Sequence, residues 1–146
     1  MIATASSQLG RARVSDTVAS QGTKHPGGES KTRTNSVAWL TGFGDAILEG
    51  LEDKICDIVS CRPENTEEFQ VIHYEVSQEY RPHYDSYDML NEHGRLNTVR
   101  GGNRLITVLL YLSDVDEGGG TSFPNLGIPV APNKGRMLCS HNRQPH

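Results

Sequence analysis

The hydrophobic positions of the chain predict one amphipathic helix in its first half. Between Asp45 and Ser60, apolar residues recur at the three- and four-residue spacing of one helical face. Asp45 stands where an N-cap residue belongs, and Pro63 is expected to close the far end. The apolar positions are Ile47, Leu48, Leu51, Ile55, Ile58 and Val59. We therefore predict a helix that packs on a core and has no catalytic duty.

The apolar segments around this helix are typical of short strands. Phe69–Val76 is rich in β-branched and aromatic residues, and Leu105–Leu112 is the most apolar segment, short for a helix. Three shorter apolar segments are Ser36–Leu40, Ile128–Val130 and Arg136–Ser140. Glycine-containing turns at 118–120 and 133–135 separate the later ones. One helix ahead of several strands predicts a mainly β fold with a helical buttress (α+β), a jelly-roll-like double sheet.

The first 31 residues have a different character from the rest. They are rich in Ser, Thr, Gly and Ala and contain almost no large apolar side chains. Such a segment buries too little surface to offset the entropy lost on ordering. We predict a flexible arm over residues 1–31 and a single folded domain over residues 32–146.

Charge and composition exclude some classes of protein and leave others open. A net charge of −4 with scattered basic residues argues against a nucleic-acid partner. The sequence has no apolar run of about 18 residues, so no membrane segment is expected. The first residues lack the apolar core of a secretory signal. The cytoplasm and, for a chain incomplete at its N-terminus, the secretory pathway both remain open, as does the oligomeric state.

The chain has three cysteines, which cannot all pair within one molecule. Cys56, Cys61 and Cys139 do not form the C-x-x-C spacing of a zinc site. We expect small thiols that are buried or half-buried.

Candidate chemistry is concentrated in an H-x-D pattern. On an extended strand His83 and Asp85 would project from the same face, so that an imidazole and a carboxylate meet at one point. Such a pair supplies two members of the 2-His-1-carboxylate triad that holds Fe(II). The pattern is short enough to arise by chance, and a surface His–Asp pair beside Tyr84 and Tyr87 is the alternative.

Four segments, the first of which contains this pair, give it a context. They occur in the order FQVIHYEVSQEYRPHYDSYD (69–88), RLITVLLYLSD (104–114), EGGGTSFP (117–124) and PNKGRML (132–138). Together they resemble the catalytic domain of prolyl 4-hydroxylases, which are Fe(II)- and 2-oxoglutarate-dependent dioxygenases. The resemblance begins near Thr32, in KTRTNSVAWL, and extends to about Asn142.

The resemblance implies a double-stranded β-helix with an iron site near its mouth. His83 and Asp85 match the first two iron ligands of the family. The tyrosines that match its co-substrate pocket are Tyr74, Tyr80 and Tyr111, the last near the distal carboxylate of 2-oxoglutarate. Taken singly, each tyrosine fits equally well the role of an aromatic side chain that fills the barrel. Thr107, four residues before Tyr111 on the same strand face, is expected to border the same pocket.

The implied reaction is hydroxylation of proline in a peptide or protein. It proceeds through decarboxylation of 2-oxoglutarate and hydrogen abstraction by Fe(IV)=O, with O2 as co-substrate and ascorbate as reductant. The polar loop from Tyr87 to Asn103 falls where the family holds its peptide, although its composition also fits a plain flexible loop.

Two elements of the family pattern have no clear match. The family completes its triad with a distal histidine, and a following Lys or Arg pairs with 2-oxoglutarate. His146 and His141 are the candidates for the histidine within this chain, and no residue matches the basic anchor. We expect both to lie beyond a truncated end. A truncated, non-catalytic dioxygenase-fold protein is therefore an alternative, and a β-sandwich binding module with an incidental H-x-D is another.

Overall fold

The computed structural model describes residues 1–14, 28–29, 32–41 and 44–142. These residues form two compact units, Met1–Tyr80 and Arg81–His146, and each is described by itself. The division falls just before the H-x-D pattern, so the candidate iron ligands belong to the second unit.

A three-stranded antiparallel sheet and one long helix form the centre of the first unit. The elements of this unit are α1 (Ile2–Ser6), β1 (Gly10–Arg11), β2 (Arg13–Val14), β3 (Gly28–Glu29), β4 (Ser36–Leu40), α2 (Ala46–Val59) and β5 (Phe69–His73). The sheet order is β1-β4-β5, and β2 pairs separately with β3. In the central pairing Leu40 lies opposite Phe69 and Ser36 lies opposite His73. The apolar segment Ser36–Leu40 is therefore a strand over its whole length.

The predicted helix is confirmed, but its end and its apolar face differ from the prediction. Asp45 caps the first turn, because its Oδ1 accepts hydrogen bonds from the backbone amides of Ile47 at 3.0 Å and Leu48 at 3.2 Å. The helix ends at Val59, one residue before the predicted Ser60, because Ser60 adopts the left-handed conformation (φ 56°) ahead of Pro63. Leu48 is buried, whereas Ile47 is 76% exposed.

The core of the first unit is small and draws on the N-terminal residues. Ala5, Ala38, Leu40 and Leu48 are buried together, and four partly buried side chains pack against them. Those four are Met1, Leu9, Phe69 and Val71. The described part of the predicted arm thus contains α1 and three short strands. The remaining residues of the arm lie outside the described residues, and the domain boundary near Thr32 stays a prediction.

The second unit consists of one short helix and two strand pairs. Its elements are α3 (Glu92–Asn97), β6 (Ile106–Leu110), β7 (Thr121–Phe123), β8 (Ile128–Val130) and β9 (Met137–His141). β6 pairs with β9 and β7 pairs with β8, both antiparallel. A 3₁₀ turn over Pro124–Leu126 joins β7 to β8, and Gly127 (φ 65°) ends that turn in the left-handed region.

The strand predictions hold in position, and two of the predicted segments, Phe69–Val76 and Leu105–Leu112, are longer than the strands that form. β5 ends at His73 and not at Val76, while β6 begins one residue later and ends two residues earlier than the predicted segment. The predicted loop 87–103 contains α3, which sequence periodicity did not indicate because its EHGRLN sequence has no apolar face. Its N-cap is Asn91, whose side chain accepts a hydrogen bond from the Gly94 amide at 2.7 Å.

The described strands form antiparallel sheets without closing into a barrel. One sheet has three strands and the other three have two strands each. The architecture is therefore mixed α and β with antiparallel sheets, a coarser arrangement than the predicted jelly-roll. Among the helices in the described ranges, none has the length and apolar character needed to cross a membrane.

Candidate metal and co-substrate site

The side chains of His83 and Asp85 meet as the sequence predicts, although the backbone is not a strand. His83 Nε2 lies 3.1 Å from Asp85 Oδ1. The chain around them is irregular, with bends at Pro82 and Asp85. The strand predicted around His83 and Asp85 does not form, so strand alternation is not the reason that the two side chains meet. Bends in the loop bring them together instead.

The ring of His83 is oriented by its other nitrogen. Nδ1 lies 2.8 Å from the backbone carbonyl of Arg81, and a carbonyl oxygen only accepts, so Nδ1–H is the donor. In the neutral ring, Nε2 then directs its lone pair towards Asp85 Oδ1. When Nε2 carries a second ring proton, the contact is a hydrogen bond to the carboxylate, and when it does not, both lone pairs are available to one metal ion. Histidine metal ligands usually hold their second nitrogen in this way.

The second carboxylate oxygen of Asp85 is held from β6 and from the residue after β9. Thr107 Oγ1 donates to Asp85 Oδ2 at 2.6 Å. Asn142 Nδ2 in turn donates to Thr107 Oγ1 at 2.9 Å. Asn142 is held in place because its backbone N–H donates to the Leu105 carbonyl at 2.9 Å, which extends the β6–β9 pairing by one bond. The hydrogen bonds leave Oδ1 facing the imidazole.

The electrostatics of the pair favour an ionised carboxylate that ions can reach. The hydrogen bond with His83 lowers the pKa of Asp85, partial burial opposes this, and the Thr107 hydroxyl and the Arg104 guanidinium lower it further. Arg104 also donates from Nη1 to the Asp85 carbonyl at 3.3 Å. The side chains of His83 and Asp85 are 35% and 34% exposed.

An imidazole nitrogen and a carboxylate oxygen at one point fit Fe(II), which takes both kinds of ligand. Among the residues described, no group of three His, Cys, Asp or Glu side chains is arranged to hold a metal ion. His141 is the exposed last residue of β9 and does not join the pair in such a group. His146 lies outside the described residues.

The tyrosines predicted for the co-substrate pocket are found in different units. Tyr111 follows β6 and is buried, and its hydroxyl donates to Thr121 Oγ1 at 2.8 Å. Tyr74 and Tyr80 belong to the first unit. Tyr74 lies just beyond β5 and is 40% exposed, and the guanidinium of Arg33 lies 4.8 Å from the centre of the Tyr80 ring. The roles of these tyrosines stay predictions.

Sequence reasoning missed Asn142 and Arg104 as parts of the site and placed Thr107 in the co-substrate pocket. The Thr107 hydroxyl contacts the carboxylate of Asp85, and its place in the co-substrate pocket stays a prediction. Pairing the predicted strands 105–112 and 136–140 in antiparallel register would have placed Asn142 near Leu105, so a signal for Asn142 was present.

Comparison with known proteins identifies a family match over the part of the chain that contains this cluster. Residues 69–146, which contain every described residue of the His83–Asp85–Thr107–Asn142 cluster, match the family model of the 2OG-Fe(II) oxygenase superfamily. The chain belongs to this superfamily. Within it, the resemblance to prolyl 4-hydroxylases is confirmed by relatives from plants and a mammal.

The relatives share moderate identity with the chain and are all longer. Probable prolyl 4-hydroxylase 8 of Arabidopsis thaliana is 47% identical over 96 residues, covering 66% of this chain and 31% of the relative. Probable prolyl 4-hydroxylase 4 of the same plant is 37% identical over 147 residues, covering 99% and 43%. Prolyl 4-hydroxylase subunit alpha-1 of Rattus norvegicus is 36% identical over 110 residues, covering 75% and 20%. The chain thus spans less than half the length of each of these relatives.

Proposed function

We propose that the chain is a prolyl 4-hydroxylase-type dioxygenase domain that hydroxylates proline residues in a peptide or protein. Its co-substrates are 2-oxoglutarate and O2, its metal is Fe(II), and ascorbate is its reductant. The observation that carries the proposal is the contact of His83 Nε2 with Asp85 Oδ1 at 3.1 Å, with Nδ1 of the ring already committed to a carbonyl. The family match covers this cluster.

In the second unit, two side chains are proposed to bind the metal, and two neighbouring groups orient those side chains. When bound, Fe(II) supplies the redox chemistry that couples oxidation of 2-oxoglutarate to oxidation of a C–H bond. His83 Nε2 and Asp85 Oδ1 are the two ligands within the described residues. The Arg81 carbonyl fixes the ring of His83, and the Thr107 hydroxyl donates to Asp85 Oδ2, so that Oδ1 would be the oxygen that binds the metal. We assign the third ligand to a histidine after residue 142, for which His146 is the candidate in this chain.

The co-substrate and peptide positions follow from the same proposal. Within the second unit, we place 2-oxoglutarate against Tyr111. Because Tyr111 donates its hydroxyl proton to Thr121, Thr121 becomes an additional candidate for that pocket. Thr107 then borders the pocket only through the carboxylate that it holds. We place the peptide on residues 87–103, where α3 provides a short ordered surface. We also propose that the strand pairs β6–β9 and β7–β8 belong to a double-stranded β-helix.

The proposal is tested by two measurements on the same protein. Fe(II) binding is measured by anaerobic titration, and succinate release from 2-oxoglutarate is measured with and without a proline-rich peptide. His83→Ala and Asp85→Ala should each lose metal binding and peptide-dependent succinate. His73→Ala is the matched control, since His73 is exposed and pairs with Glu75 outside the H-x-D. Unchanged iron binding in His83→Ala would overturn the assignment.

A second candidate is a non-catalytic protein of the same fold. It is favoured by one observation, that the described residues contain no third His, Cys, Asp or Glu grouped with the pair. This candidate predicts weak iron binding and no peptide-dependent succinate, whereas a β-sandwich module with an incidental H-x-D predicts no iron binding. The two measurements therefore separate all three possibilities.

A further inference from the structure

Two cysteine side chains meet at the C-terminal end of α2, away from the H-x-D pair in sequence. The Sγ atoms of Cys56 and Cys61 lie 3.3 Å apart, with the Cys61 thiol as donor. Cys56 is buried, and Cys61 is partly exposed. Both cysteines are reduced. None of the roles proposed above uses them.

The backbone, and not a chance choice of rotamer, brings the two thiols together. Ser60 adopts the left-handed conformation (φ 56°, ψ 44°) after the last helical residue. The amide of Cys61 then donates to the carbonyl of Cys56 at 3.0 Å, a bond that spans five residues. This is the bond of a Schellman motif, in which the two side chains at its ends contact each other. Helices that end in this motif frequently place an apolar pair there, whereas this chain places two thiols.

We propose that Cys56 and Cys61 form a reversible intramolecular disulfide when the protein meets a low-molecular-weight disulfide such as oxidised glutathione. The sulfur atoms need to approach from 3.3 Å to about 2.05 Å, a movement that side-chain rotation at the helix end can supply. Cys139, an exposed residue of β9, is not part of this pair.

The reaction proceeds by two thiol–disulfide exchanges. The Cys61 thiolate attacks one sulfur of oxidised glutathione, which forms a mixed disulfide and releases one glutathione thiolate. The Cys56 sulfur then attacks the Cys61 sulfur, its proton passes to the departing second glutathione, and the protein disulfide forms. Two protein thiols are oxidised and one glutathione disulfide is reduced to two thiols, so atoms and electrons balance.

The order of the two steps follows from exposure and charge. Cys61 reacts first because it is the member that solvent reaches. Burial raises the pKa of Cys56 to about 11, with a further contribution from the adjacent Cys61 thiol. Cys56 therefore stays protonated and sheltered until the mixed disulfide on Cys61 is beside it.

The test uses the full chain incubated with oxidised glutathione and then digested after glutamate. Cleavage at Glu52 and Glu64 releases both cysteines in one peptide, 53–64, separate from Cys139. We expect that peptide to become two hydrogen masses lighter and to resist alkylation. After treatment with dithiothreitol it should regain both hydrogens and react with the alkylating agent again. Cys139→Ala, the matched control, should behave like the wild type.

Two variants identify the steps. Cys56→Ala should retain one glutathione on Cys61, because the resolving thiol is gone, and Cys61→Ala should leave the 53–64 peptide unmodified. A wild-type protein that accumulates glutathione on Cys61, or that links Cys61 to Cys139, would overturn the proposal. The wild-type peptide decides the matter even where a variant does not fold.

Discussion

Replacing Thr107 by valine tests whether the hydroxyl behind Asp85 supports metal binding. Valine keeps the branched shape that suits β6 and replaces the hydroxyl by a methyl group of similar size. The change removes the 2.6 Å hydrogen bond to Asp85 Oδ2 and the acceptor of the 2.9 Å bond from Asn142. Asp85 is then free to rotate, and a free carboxylate holds a metal ion less well.

The structure sets the size of the effect. A hydrogen bond to a charged group contributes about 1.5–3 kcal/mol. The Asp85 side chain is 34% exposed, so water replaces part of the lost bond and the lower end of that range applies. Since about 1.4 kcal/mol corresponds to a factor of ten, we expect roughly tenfold weaker metal binding. Loss of such supporting groups typically weakens metal sites by about 10–100-fold.

Anaerobic titration calorimetry with Fe(II), repeated with Co(II) for its visible absorption, measures the change. Thr107→Ser is the control, because serine keeps the hydroxyl and should bind within about threefold of the wild type on the same scale. The far-ultraviolet circular dichroism of both variants should match the wild type. The reasoning is refuted if Thr107→Val binds metal as the wild type does, or if Thr107→Ser is as weak as Thr107→Val.

Three further predictions concern stability and are measured by urea unfolding. Asp45→Ala removes the cap of α2 and should lower the free energy of unfolding by about 1 kcal/mol, with a smaller loss for Asp45→Asn. Asn35 is fully buried, and its side chain bonds to Arg33 and to a backbone carbonyl, so Asn35→Ala should cost about 1–3 kcal/mol. Gly94→Ala would place a Cβ 1.8 Å from the Asp88 carbonyl oxygen and should lower the free energy of unfolding by about 1–3 kcal/mol. In the control variant Gly101→Ala the Cβ meets nothing within 4 Å, so no comparable loss is expected. A stable Gly94→Ala, an unaffected Asn35→Ala or an unaffected Asp45→Ala would each contradict the contact concerned.

The elements that the sequence predicts well are those whose signals are local. α2 lies within the predicted Asp45–Ser60 because its cap and its apolar spacing are both written in adjacent residues. β4 and β8 have the predicted bounds, because apolar runs between polar or turn residues mark where each begins and ends. The Schellman-type end at Ser60 was not predicted, since a left-handed serine has no distinctive sequence signal.

Elements without an apolar face escaped the sequence analysis. Leu96 is the one large apolar residue of α3, and it is exposed. The helix is marked by the Asn91 cap and by the close approach of Gly94 to the Asp88 carbonyl. Periodicity alone gives no reason to place a helix there. The N-cap asparagine three residues before a glycine was the available signal, and it is weak because the same residues favour turns.

The candidate site shows the same division between local and distant signals. The meeting of His83 and Asp85 depends on a two-residue spacing and was predicted, even though bends and not a strand produce it. The Thr107–Asn142 contact joins residues 35 positions apart and exists only because β6 and β9 pair in one register. A shift of that register by one residue would turn Thr107 to the other face and leave Asp85 Oδ2 without its donor.

Strand geometry also separates two residues that the sequence analysis placed in one pocket. Thr107 and Tyr111 are four positions apart, and an extended chain advances by about 3.3 Å per residue, so roughly 13 Å separates their backbones. The hydroxyl of Thr107 is used by Asp85, and that of Tyr111 is used by Thr121. One strand face therefore presents two hydroxyls with different partners. In the structure Thr107 contacts the candidate iron ligand Asp85, whereas Tyr111 contacts Thr121, and the assignment of both residues to one co-substrate pocket stays a prediction.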